Sequence, residues 1–210
     1  MKFGTIIVTR SKSCHVKTLH SILRFNVKCI QNKYDNEITY VNDDPYEKAE
    51  IIQKCMKLYE RIIFIDFGVG IDETSLEQCF KQYDGIGCLV FPGVREGIDW
   101  ELFKQKVKNE STEPTSQMGL NFDTNIDNKI SENIYHVIST DAKAWIMYTK
   151  NTIKSIKDKK TGNWKISPKM FEKFKECGVR IYAFTAAKLT MTYTHECLGN
   201  ILNAAGVKVN

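Results

Sequence analysis

The chain has 210 residues, of which 42% are hydrophobic and 26% charged, and it carries a net charge of +5. This length and balance specify an ordinary globular protein built around one sizeable core, and exclude a disordered or fibrous chain. No apolar run approaches the roughly 18 residues of a membrane-spanning helix, and the positive excess is too small for a general nucleic-acid binder.

The segment from Met1 to Thr9 has one basic residue and too short an apolar run for a signal peptide, and Thr5 to Thr9 reads as a first strand. From Val16 to Phe25, apolar residues at 16, 19, 22 and 23 have helical spacing. Glu37 to Val41 is a second strand. Asn42-Asp43-Asp44-Pro45 is a strong helix start, and the helix after it puts Ala49, Ile52, Cys55, Met56 and Tyr59 on one side. Strand three stops at Asp66, and a third helix from Thr74 or Ser75 runs through Leu76, Cys79 and Phe80. Gly87 to Phe91 is strand four, and Asp99 to Val107 a short amphipathic helix. Glu110 to Ser116 reads as a polar loop. Asn133 to Ile138 and Ala144 to Tyr148 read as two strands flanking a turn. The lysine-rich segment Lys150 to Lys160 is either a local basic patch able to attract phosphate or nucleic acid, or a solvated loop or helix end; no aromatic residue interrupts it, so base stacking is not suggested. A helix from Pro168 to Cys177, a strand from Val179 to Phe184 and a terminal helix from His195 to Ala205, closed by Gly206, complete the chain.

Strand and helix alternate in the first half, which predicts a parallel sheet with crossover helices. The second half breaks that rhythm and adds antiparallel strands. The seven cysteines stand singly with no Cys-x-x-Cys pair, so neither a disulfide framework nor a zinc knuckle is expected. Reduced thiols imply cytoplasmic residence.

The chemistry centres on Arg61 to Asp72. Ile62 to Ile65 form an unbroken apolar run ending at a carboxylate, Asp66, with glycines following and a second carboxylate at Asp72. Such a run reads as a strand buried on both faces of a parallel sheet, and ligands collect at the carboxyl ends of those strands. Asp66 is therefore either a ligand-facing acid or the cap of a turn. Strand one ends in Thr9-Arg10-Ser11-Lys12-Ser13, whose hydroxyls and cations suit a ribose and phosphates, or a solvated turn. The absence of Gly-x-Gly-x-x-Gly and of a Walker loop argues against Rossmann dinucleotide and P-loop sites. His15 and His20, five apart, do not share a helical face. His195 and Glu196 open the last helix, where they could act as metal ligand and general base or simply satisfy the helix dipole.

In segment order the chain resembles the nucleotide-sugar glycosyltransferases of the GT-A fold, in particular glycosyltransferase-like proteins of large DNA viruses of algae and protists. The resemblance rests on Ile6 to Ser21, Arg61 to Asp66, Gly97 to Phe103, Asp141 to Met147 and Thr194 to Lys208. It implies one GT-A-like (Rossmann-like) α/β domain over 1–210, with a mixed sheet and helices on both faces. Residues 1–107 would form the nucleotide-binding half and 108–210 the acceptor-side half. It implies transfer of a sugar from a nucleotide-sugar donor to a glycan or protein acceptor, with Thr9, Arg10 and Asp66 on the nucleotide. An Mn or Mg ion would be held by Asp66 with Asp72 and His195, Glu196 would act as base, and Asp141 would contact the acceptor. Where the family carries the second acid of an Asp-x-Asp pair, this chain has Gly68. The alternative is a degenerate relative with a structural or binding role, such as a virion component. Nucleic acid is not an expected partner, and the location would be the host cytoplasm if the protein is viral.

Overall fold

The computed structural model describes residues 1–192, 201, 205 and 206. The first half alternates β1 (Lys2–Thr9), α1 (Val16–Gln31), β2 (Asp35–Asn42), α2 (Pro45–Leu58) and β3 (Arg61–Ile65). Then come β4 (Val69–Ile71), α3 (Glu73–Glu77), β5 (Cys88–Val90) and α4 (Trp100–Lys108). The second half contributes β6 (Thr124–Ser131), β7 (Ile134–Thr140), β8 (Ala144–Tyr148), α5 (Thr149–Ile156), α6 (Met170–Glu176), β9 (Ile181–Phe184) and β10 (Leu189–Met191). The terminal helix expected from His195 to Ala205 falls almost wholly outside the described residues.

Eight strands form one sheet in the order β2-β1-β3-β8-β5-β9-β7-β6, and β10 pairs with β4 in a separate ribbon. β2, β1 and β3 are mutually parallel, β8 runs antiparallel between β3 and β5, and β9 is parallel to β5. This is the mixed α/β domain expected from the sequence, with its parallel part in the N-terminal half. The central strands divide their side chains between two cores, as a pleat of period two requires. Ile62, Phe64, Trp145 and Met147 face α2 and α6, while Ile63, Ile65, Ile146 and Tyr148 face α1 and α3.

Local chemistry sets the helix starts. His15 caps α1 through Nδ1, which accepts the Lys17 N–H at 3.2 Å. Asp44 caps α2 by accepting the N–H groups of Tyr46 and Glu47, with Pro45 at the first turn. α3 starts earlier than expected, at the cap Asp72, which accepts the Ser75 N–H at 3.0 Å.

The structure adds three features to the expected elements. Ala144 to Tyr148 and the strand before it flank a turn as expected, but β8 finds its partners in mid-sheet, between β3 and β5. The lysine-rich segment opens with a true helix, α5, because Thr149, Thr152 and Ile156 are buried on one side while its lysines point outward. β6 is an additional edge strand with a nearly all-exposed sequence.

The Phe64 and Trp145 rings stack at 4.9 Å with planes 3° apart, and Trp145 is fully buried. Trp145→Ala is expected to cost about 3–5 kcal/mol, read as a lowered urea midpoint, with Trp145→Phe costing distinctly less.

Candidate functional site

The order β2-β1-β3 makes the gap between β1 and β3 a topological switch point, where ligands bind in open α/β sheets. Each of these strands delivers a charged residue just past its carboxyl end: Arg10 after β1, Asp43 after β2 and Asp66 after β3. Arg10 Nε donates to Asp43 Oδ2 at 2.7 Å and Lys48 Nζ to Asp43 Oδ1 at 2.6 Å. Arg10 also approaches Glu96 at 3.8 Å, and Lys143 Nζ donates to Glu96 at 2.6 Å. The result is an alternating chain of charges, Lys48, Asp43, Arg10, Glu96, Lys143.

Asp66 lies in the field of both ends of that chain. Burial pushes its carboxyl above the ordinary carboxylate range; Lys48, the Phe67 N–H and Lys143 pull it back, while Asp43 raises it further. Its N–H donates to the Lys143 carbonyl at 2.8 Å, and its Oδ1 accepts the Phe67 N–H at 2.8 Å. Asp43 shows the opposite balance: burial raises it, but its bonds to Lys48 and Arg10 prevail and hold it low. The Arg10 guanidinium sits 5.1 Å from the centre of the Phe67 ring, and the His15 ring meets Phe67 edge-on at 5.9 Å. Arg10 to Ser13 closes a tight turn in which Ser11 and Lys12 take positive φ of 49° and 60°. Side-chain-bearing residues adopt that region at a cost, and such strain gathers at functional loops.

Asp66 opens onto a cleft of about 230 Å³ lined also by Lys48, Phe64, Asp141, Trp145 and Phe171. Asp141 pairs with Arg95 at 3.2 Å and also lines a second hollow of about 590 Å³ between β7 and α6. The structure thus brings Asp66 and Asp141 to one cleft, with Arg10 beside it. Thr9 is buried, its hydroxyl donating to the Val41 carbonyl at 3.1 Å, so it braces the end of β1. His195 and Glu196 lie outside the described residues.

A divalent cation needs several hard oxygen ligands. Asp72 is engaged as the cap of α3, and Gly68 follows Asp66 with a positive φ of 76°, its carbonyl accepting the Thr192 N–H and hydroxyl. Among the described residues no group of three or more His, Cys, Asp or Glu side chains could hold a metal. The described donor set therefore does not fit a metal centre on its own.

Sequence reasoning missed Asp43, Lys48, Glu96 and Lys143. The strand-end rule that singled out Asp66 applies equally to Asp43, but the helix-start signal absorbed it. It also missed Asp123, which is 3% exposed. Asp123 Oδ1 accepts the Gly93 N–H at 3.1 Å and the Thr124 hydroxyl at 2.7 Å, whereas Oδ2 has no partner among the described residues. Burial raises its carboxyl, and its carbonyl accepts the Asp141 N–H at 2.9 Å.

No protein family matches the chain by sequence, and no curated protein does. Solved structures resemble it in fold. The catalytic domain of Drosophila beta1,4galactosyltransferase 7 in complex with xylobiose is 10% identical at a TM-score of 0.47, over 91% of this chain and 70% of that one. UDP-glucose pyrophosphorylase complexed with UDP-glucose is 13% identical at a TM-score of 0.49, over 98% and 99%. GalNAc-T7 with UDP, GalNAc and Mn2+ is 10% identical at a TM-score of 0.42, over 90% and 42%.

Because the folded Asp66 binds its proton more tightly than the unfolded chain does, its contribution to stability is complete below about pH 3.9 and is lost as pH rises through the folded value. Asp66→Asn keeps the acceptor for the Phe67 N–H and removes the buried charge. Thermal melts are expected to show a higher Tm than wild type at neutral pH, with the gain vanishing toward pH 3.

Proposed function

We propose that the chain is a GT-A-type glycosyltransferase that takes a nucleotide-sugar donor at the carboxyl edge of β1, β2 and β3. The observation that carries this reading is the convergence of Asp66, Lys48 and Asp141 on one cleft at the carboxyl end of β3, between α2 and α6. In this reading residues 1–107 serve the donor and 108–210 the acceptor. Arg10 and Lys48 meet the donor's phosphates as charge-assisted hydrogen-bond donors, with Thr9 fixing the strand end beneath them. Asp66 accepts from a hydroxyl of the nucleotide sugar. Asp141 orients an acceptor hydroxyl, and Glu196 takes its proton as the acceptor oxygen bonds to the sugar's anomeric carbon and that carbon's bond to the nucleoside diphosphate breaks, the diphosphate leaving. The described thiols are unpaired, which suits the cytoplasm, or a host cytoplasm if the protein is viral.

A second reading, an inert relative that binds without transfer, is favoured by Gly68 standing where the resemblance puts a second acid. Donor-dependent release of nucleoside diphosphate separates the two.

Thermal shift with UDP- and GDP-sugars, with and without Mn, tests the site itself. A donor at 100 times its Kd should add about 2.7 kcal/mol of stability. Lys48→Ala and Asp66→Ala should each abolish the shift. No shift with any donor overturns the transferase and the donor-binding readings and favours the structural role.

A further inference from the structure

α1 carries two apolar faces, and the fold uses one. Ile22, Phe25 and Cys29 are buried against the sheet. On the other side Val16, Leu19, Leu23, Val27 and Ile30 are 41–67% exposed. At 3.6 residues per turn these five fall within an arc of about 80° and run some 21 Å along the helix, a continuous aliphatic stripe facing solvent. Scattered apolar side chains on a surface need no explanation, but a ridge of five does.

The charges that α1 itself sets beside the stripe have one sign. No Asp or Glu occurs between Val16 and Gln31, and Lys17, His20 and Arg24 are exposed along one flank. Lys28 lies on the same flank, where it binds Glu73 at 3.0 Å and Glu77 at 3.1 Å. These two acids of α3 are the counter-charges closest to the basic edge, and Glu73 also feels Arg24. No described helix is long and apolar enough to cross a membrane. An aliphatic ridge with an adjacent basic flank matches the interface of an anionic bilayer, where the apolar side chains sink below the headgroups and the cations meet them.

We propose that α1 docks this protein in the plane of an anionic membrane surface, through the Val16, Leu19, Leu23, Val27 and Ile30 stripe and the Lys17 and Arg24 flank. This does not depend on the glycosyltransferase reading. The helix begins at His15, beside Phe67 at the carboxyl edge of the sheet, so docking sets that edge near the lipid headgroups.

Co-sedimentation of the full chain with vesicles of phosphatidylglycerol and phosphatidylcholine in equal parts, against phosphatidylcholine alone, tests the proposal. The protein is expected to bind the anionic vesicles, more weakly as salt rises, and to bind the neutral ones poorly. The pair Leu23→Ser and Val27→Ser should weaken partitioning at least about tenfold with the melting temperature unchanged, since both side chains are exposed. Lys17→Gln with Arg24→Gln should weaken it and flatten its salt dependence. Absence of binding by the wild-type chain overturns the proposal, as does full retention by the Leu23 and Val27 pair. So does concentration-dependent self-association removed by that same pair, which would make the ridge a seam between copies.

Discussion

The antiparallel insertion of β8 between β3 and β5 is the constraint on which the rest of the structure depends. All five of its residues are buried, and it pairs Ala144 with Ile65 on one side and Trp145 with Val90 on the other. The ladder continues one rung past the strand, where the Asp66 N–H donates to the Lys143 carbonyl. The backbone of the central carboxylate is thus positioned by a strand some eighty residues further along the chain. A slip of one residue would move every β8 side chain to the opposite face. Trp145 would leave its stack on Phe64, the cleft would lose that wall, and Lys143 would no longer reach Glu96. Register and site geometry are therefore a single property.

Around that fixed carboxylate the charges alternate, and this explains how so many ionic groups share one sheet edge. Asp43 accepts from two cations and is held ionised; Glu96 joins Lys143 and approaches Arg10. Asp66 differs because its cationic neighbours act at a distance and burial dominates its protonation. A carboxylate left under-compensated in a cleft is a cost that the fold would avoid if stability alone governed the position. Asp123 repeats the pattern: a buried acid with one oxygen satisfied by Gly93 and Thr124 and the other unpartnered among the described residues, joined through its backbone to Asp141.

The parallel half was legible because its signals are local. Ile62 to Ile65 announce a strand buried on both faces, and Asn42 to Pro45 announce a helix start. What was not legible depends on distant partners or on an absence of pattern. β6 reads TNIDNKIS and is exposed along nearly its whole length, so no alternation marks it. α5 hid behind its lysines because only Thr149, Thr152 and Ile156 turn inward, and threonines at helical spacing carry little hydrophobic signal. The place of β8 could not be read from its neighbours in sequence, because its partners are strands far earlier in the chain, β3 (Arg61–Ile65) and β5 (Cys88–Val90). Within the site, Asp66 followed from the strand-end rule, whereas Asp72, expected as a metal carboxylate, instead caps α3. The cations escaped because a lysine inside a helix, such as Lys48, looks like any solvated lysine until the fold brings Asp43 to it.

α1 links the two scales. Its cap, His15, lies against Phe67 and reaches 3.5 Å from the Thr192 hydroxyl, so the helix is anchored at the same edge as the charge network. Core packing accounts for Ile22, Phe25 and Cys29 and sets the rotation of the helix about its axis. Once that rotation is fixed, Val16, Leu19, Leu23, Val27 and Ile30 have no choice but to face outward. An amphipathic helix needs a single apolar stripe to fold onto a sheet, and polar residues on the opposite face would serve solubility better. The packing of α1 on the sheet therefore accounts for one of its two apolar stripes and leaves the other, with the cations Lys17 and Arg24 beside it, facing outward.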